Sequence, residues 1–202
     1  ATTQRKILRE FKFPKEDEAK AQIVYYREAR EYVKAYHKGS YPQGWLSTRR
    51  DRLAARSSQE SKKKTSERLA NNARAVSAYA ANFGGREFDL LDRLILDYRH
   101  ADVRVVVMPD LHVRDRKDGN EKIIKLEFGT KAPDRRVLAI ISQMMFDAAE
   151  RAKMNLQSSG VLCFDVPRGA VVKGARVGAQ LSRNIESTCK NISALWGGIE
   201  PA

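Results

Sequence analysis

Apolar and polar positions change period partway along this chain. Up to about residue 86 the apolar residues recur every three or four positions, the spacing of a helix face; beyond it that spacing is interleaved with alternation and short unbroken runs, as strands have. Phe13-Pro14-Lys15-Glu16-Asp17-Glu18 predicts a helix entry, with proline in the first turn and acids near the positive end of the dipole. The rows Ile23, Tyr26, Arg30, Val33 and Tyr25, Ala29, Tyr32, Tyr36 carry that helix to about His37, and Gly39-Ser40-Tyr41-Pro42-Gln43-Gly44 breaks it. A short basic helix is expected from Arg49 to Arg56. A longer one is expected from Gln59 to Phe83, striped by Leu69, Ala73, Val76, Ala80 and Phe83 and ended by Gly84-Gly85. Glu87 to His100 reads as an amphipathic helix on Phe88, Leu91, Ile95 and Tyr98.

The second half predicts strands. Val103 to Met108 is a β-branched run, Asp110 to Arg114 alternates, and Lys122 to Phe128 places Ile124, Leu126 and Phe128 on one face. Between the last two, Arg116-Lys117-Asp118-Gly119-Asn120 supplies Asp-Gly turn chemistry. Asp134 is placed to cap a helix running through Val137, Ile141, Met144, Ala148 and Ala152. Val161 to Val166 and Ala170 to Lys173 are further strands, and Val177, Leu181, Ile185, Cys189, Ile192 and Trp196 stripe a final helix. The expected architecture is an α/β (α+β) core over residues about 86–202, preceded by a helical arm over about 1–85.

Composition narrows the function. At 202 residues and 42% hydrophobic content the chain carries enough apolar surface for a packed core without disulfides. Cys163 and Cys189 each lie in apolar stretches with no CxxC spacing, so both are expected as reduced, buried thiols. No segment resembles a signal peptide or a membrane span, which makes the cytoplasm the expected compartment. Charge changes the picture most: 38 Lys+Arg against 25 Asp+Glu leaves +13. Residues 38–86 hold eleven Lys/Arg and three acids, a net of +8 concentrated in the arm. Such an imbalance points to a polyanionic partner, DNA or RNA. Arg49, Arg50, Arg52, Arg56, Lys62, Lys63 and Lys64 are the candidate phosphate contacts, with Tyr41 and Trp45 for stacking on bases. The bland alternative is a solvated helical pair with Trp45 in the core. No P-loop, dinucleotide-binding glycine motif, nucleophile elbow or HExxH motif occurs.

The expected order from residue 86 to 166 is helix, three strands, helix, strand. That αβββαβ order, with Pro109-Asp110 opening the second strand and Lys125 midway along the third, resembles the PD-(D/E)XK (restriction-endonuclease-like) nuclease superfamily. The resemblance covers roughly the central 80 residues. It implies Mg²⁺-dependent phosphodiester cleavage in which Asp110 holds the metal and Lys125 orients or activates water. The pattern departs at Ile123, where the family has an acid. Period-two alternation puts Asp110 with His112 on one strand face and Ile123, Lys125 and Glu127 on another, so Glu127 is the candidate second carboxylate and His112 a candidate assistant. Gln143 matches the glutamine of a QxxxY motif found in RecB-type members, but Asp147 stands in place of the tyrosine. Asp92 or Asp97 would supply a third acid. The alternative function is a catalytically silent binding or scaffold protein acting through protein partners or its own copies. On that view Asp110 is a strand-entry turn residue, and Lys125 and Glu127 mark an exposed sheet edge or take part in cross-strand ion pairing.

Overall fold

The computed structural model describes residues 3–12, 25–42, 44–129, 134–173 and 179–200. Among these, four helices come first: α1 (Thr3–Lys12), α2 (Arg27–Lys38), α3 (Gly44–Gln59) and α4 (Lys63–Phe83). Then follow β1 (Phe88–Leu90), β2 (Leu96–His100), β3 (Val103–Val107), β4 (Leu111–Asp115), β5 (Glu121–Glu127), α5 (Arg135–Arg151), β6 (Val161–Asp165), β7 (Ala170–Lys173) and α6 (Ala179–Trp196). The fold is mixed α/β, a five-stranded sheet in the order β1-β4-β5-β6-β7 with helices on both faces and a separate β2-β3 hairpin.

Within the sheet only β5 and β6 run parallel, joined by α5 as their crossover, with Ile123 beside Val161 and Glu127 beside Asp165. The neighbouring pairs are antiparallel, with Leu111 opposite Ile124 across β4 and β5. Alternation divides β5 between two cores. Ile124 and Leu126 join Val33, Leu46, Leu53, Val76, Tyr79 and Phe83 of α2–α4 in one buried cluster, whereas Ile123 joins Met145, Ala148 and Ala149 of α5, Tyr98 of the hairpin and Ile185 of α6 in the other. The helical arm and the strand-bearing half therefore share one core across the first face of the sheet. Cys163 and Cys189 are buried free thiols. No helix among the described residues is long and apolar enough to cross a membrane.

Three local expectations need correction. Residues 87–100 are not a helix: Phe88–Leu90 pairs with β4, and Leu96–His100 pairs with Val103–Val107. The alternation Leu96-Asp97-Tyr98-Arg99, with Leu96 and Tyr98 buried, competes with the helical spacing, and the β-branched partner run beside it decides the outcome. As a result Val103–Val107 belongs to the hairpin rather than to the main sheet. The helix, three strands, helix, strand order persists in another form, since α4, β1, β4, β5, α5 and β6 follow it with the hairpin inserted after β1. Third, residues 3–12, read as a polar start, form α1. The expected helix entry at 13–18, Ile23 and Val177 lie outside the described residues.

Candidate functional site

Pro109 precedes β4, and the Asp110 amide donates to the Ile124 carbonyl at 2.9 Å, which continues the antiparallel register and sets Asp110 opposite Lys125. The carboxylate is fully engaged. Its Oδ2 accepts from Lys125 Nζ at 3.1 Å and from the Leu126 amide at 2.9 Å, and Arg30 Nε meets Oδ1 at 3.0 Å. Asp110 is buried, at 8% exposure, and that burial is tolerable because every contact is a charge-assisted donor. Arg30 comes from the first turn of α2, where its guanidinium also lies 5.4 Å from the Phe128 ring centroid. Buried Asn72 of α4 fixes that turn: Oδ1 accepts from the Ala29 amide at 2.9 Å, and Nδ2 donates to the Tyr25 carbonyl at 2.6 Å.

Two residues along β5, Glu127 shares a face with Lys125 and stands beside Asp165, whose two oxygens receive Arg168 Nη1 at 3.0 and 3.1 Å. Burial pushes the Glu127 carboxyl above its ordinary value; Asp110 and Asp165 push the same way, while Lys125 and Arg30 oppose them. Cys163, between these charges on β6, accepts or donates a hydrogen bond with Ser142 Oγ at 3.3 Å, and burial pushes its thiol up. Mg²⁺ requires only one or two carboxylates with water. Both Asp110 oxygens are occupied by Arg30, Lys125 and the Leu126 amide, so a metal on Asp110 and Glu127 would have to displace one of these donors. Among the described residues no group of three or more His, Cys, Asp or Glu side chains gathers as a metal set.

A cleft of about 510 Å³ opens over Asp110 and Lys125, with Arg30, Lys34, Asp92, Arg93 and His112 completing its polar wall. His112 is close but occupied: Nδ1 bonds the Asp92 carbonyl at 2.8 Å and Nε2 meets Glu121 Oε1 at 2.6 Å, so neither nitrogen is open to act as a base. Of the two further acids, Asp92 lines the cleft. Asp97 instead holds Arg99 and Arg104 on the hairpin, with contacts at 3.0–3.1 Å. Gln143 is buried on α5, where its Nε2 donates to Asp147 and its Oε1 has no partner; burial raises the Asp147 carboxyl.

The basic arm divides. Arg52, Arg56, Lys62, Lys63 and Lys64 are exposed on α3, the first turn of α4 and the link between them. Arg50 pairs with Asp51 at 2.7 Å. Arg49 lies 4.6 Å over Trp45, which stacks on Tyr41 at 4.8 Å and meets Tyr32 edge-on at 6.2 Å. Trp45 is partly buried against the first core, and the Tyr41 ring lies so close to Gly39 that a Cβ there would sit 2.2 Å from it. Trp45 is held between Arg49 and Tyr41, whereas Tyr41 itself is 45% exposed.

Sequence reasoning brought Asp110, Lys125 and Glu127 together and missed Arg30 and Asp165 as their neighbours. Both left a signal: Arg30 interrupts the apolar row Tyr26, Val33, and Asp165 interrupts the buried run Val161 to Val166. No family model, curated protein or solved structure matches the chain.

Proposed function

We propose that this protein binds nucleic acid, with a backbone phosphate received in the Asp110–Lys125 cleft of a PD-(D/E)XK-like core. The carrying observation is that four cations, Arg30, Lys34, Arg93 and Lys125, line one cleft against two acids, Asp92 and Asp110, in a chain of net charge +13. Low-dielectric walls focus that potential on whatever anion enters. Lys34 and Arg93 contact phosphate, while Arg30 and Lys125 hold Asp110 and supply positive charge at the base of the cleft. The exposed cations of α3 and α4 extend the attraction along the strand. In support, α4, β1, β4, β5, α5 and β6 keep the αβββαβ order, and Asp110, leading into β4, stands 3.1 Å from Lys125 on β5.

A second reading, cleavage of the bound strand, is favoured by the raised Glu127 carboxyl beside Asp110 and Asp165. Mg²⁺ held by Glu127 and Asp110 would neutralise charge developing on the phosphodiester. Lys125, released from Asp110, would orient the attacking water, and the buried sheet wall would exclude bulk solvent.

One set of variants tests both readings. Lys34→Glu with Arg93→Glu should weaken binding to DNA or RNA and flatten its dependence on log salt by about one unit for each phosphate that is no longer neutralised. Affinity and slope unchanged from wild type would remove the cleft from the interface. With Mg²⁺ or Mn²⁺, wild-type cleavage that disappears in Asp110→Asn while binding persists would establish the second reading. Binding without cleavage under either metal would leave the protein a binding module.

A further inference from the structure

The β2–β3 hairpin presents an apolar surface that the core does not use. Its inner side chains, Leu96 and Tyr98, pack against α5 and α6. Ile95 directly precedes β2, Met108 directly follows β3, and Val106 stands opposite Asp97; these three are 56%, 50% and 47% exposed. They lie at the open end of the hairpin, which is also the rim of the cleft. Met108 and Arg93 both line the cleft, and Arg93 Nη2 approaches the Met108 sulfur at 3.7 Å. Toward the far end, Arg99 and Arg104 share Asp97, so the outer face runs from aliphatic at the cleft to cationic beyond it.

The hairpin is braced. Arg151 donates to the Arg99 carbonyl and covers Tyr98 at 5.1 Å, and Ser193 of α6 donates to Asp102 in the hairpin turn at 2.5 Å. Its outer face is therefore a pre-organised platform, and little ordering is lost on binding.

Resting on the function proposed above, we infer that this face receives unpaired nucleotides, so that the protein prefers single-stranded nucleic acid. A duplex hides its base faces in the stack and presents phosphates and groove edges, whereas a single strand presents apolar base faces and phosphates side by side. Three half-exposed aliphatic side chains adjoining a cationic cleft match the second arrangement: a phosphate sits over Lys34 and Arg93 while the neighbouring base lies on Met108, Ile95 and Val106. A protein partner is the competing occupant of such a patch. The cations of the cleft and of the outer hairpin favour the polyanion.

The test uses the whole chain, fluorescein-labelled oligothymidine and a mixed-sequence duplex of equal length, read by anisotropy across salt. Ile95→Thr, Val106→Thr and Met108→Gln together should weaken oligothymidine binding about tenfold, the loss expected from removing roughly two partly buried aliphatic side chains from an interface. Duplex affinity should fall less than oligothymidine affinity, and Ile95→Thr with Val106→Thr, which leaves the cleft lining intact, should change it less than twofold. The salt slope for oligothymidine should stay at the wild-type value, because the same phosphates are neutralised. Met108→Gln alone gives a milder version if the triple variant melts at a lower temperature than wild type. Wild-type protein that binds duplex as tightly as oligothymidine, or a folded triple variant whose oligothymidine affinity is unchanged, would overturn this inference and leave the proposed function standing; a triple variant that loses only self-association or protein binding would do the same. Absence of any nucleic-acid binding by wild type would overturn both.

Discussion

Arg30 shows how much one side chain can organise. Its Nε bonds a buried carboxylate oxygen of Asp110, and removing it leaves that oxygen desolvated while Oδ2 keeps Lys125 and Leu126. Arg30→Met should therefore cost about 1–3 kcal/mol of stability, read as a lower urea midpoint at unchanged slope. His37 offers a cleaner test of the core. It is buried with its Nε2 bonded to Tyr79 Oη at 2.7 Å, and burial lowers its pKa from 6.5 to about 4. The unfolded chain then binds a proton between about pH 6.5 and 4 that the native state refuses, so stability is full above that window and falls as pH drops through it. The loss should approach ~3 kcal/mol by pH 4, and His37→Phe should flatten that part of the stability profile. A profile that His37→Phe leaves unchanged would mean that other groups control acid stability. The Asp110–Lys125–Glu127 relation was legible in the sequence because period-two alternation is local. Arg30 approaches from another layer of the fold, so only its interruption of an apolar row hinted at it.

Among the elements, β2 and β3 show where legibility fails. Phe88, Leu91, Ile95 and Tyr98 keep helical spacing over a window short enough for Leu96 and Tyr98 to satisfy a strand as well, and pairing with Val103–Val107 settles it. Asp134 behaved as read, its side chain accepting from the Arg136 amide at 2.8 Å, because capping depends on residues within one turn. Helices α3 and α4 carry the charge prediction for this scale. Arg52, Arg56 and Lys63 are exposed and lie in the basic arm, whereas Lys117, Lys173 and Lys190 are exposed elsewhere. Reversing the first three to Glu should weaken nucleic-acid binding several-fold more than reversing the second three, since the same charge is removed and only its placement differs. Equal losses would assign the affinity to bulk charge.

For the whole molecule, two cores share one sheet, and the cleft lies at a sheet end where α2, β4 and β5 meet and the hairpin forms the rim. The helical arm covers the first face of the sheet, so the net +8 of residues 38–86 is held rigidly relative to Lys125 and its neighbours rather than trailing on a linker. That arrangement fixes the basic arm and the cleft relative to one another. Fluorescence anisotropy of the purified chain with labelled DNA and RNA, single- and double-stranded, across about 50 to 200 mM salt tests the proposed nucleic-acid binding most directly. Neutralising about six phosphates predicts a loss of affinity of roughly 10³ over that range, linear in log salt. Failure to bind all four nucleic acids at the lowest salt, or binding that ignores salt, would contradict it.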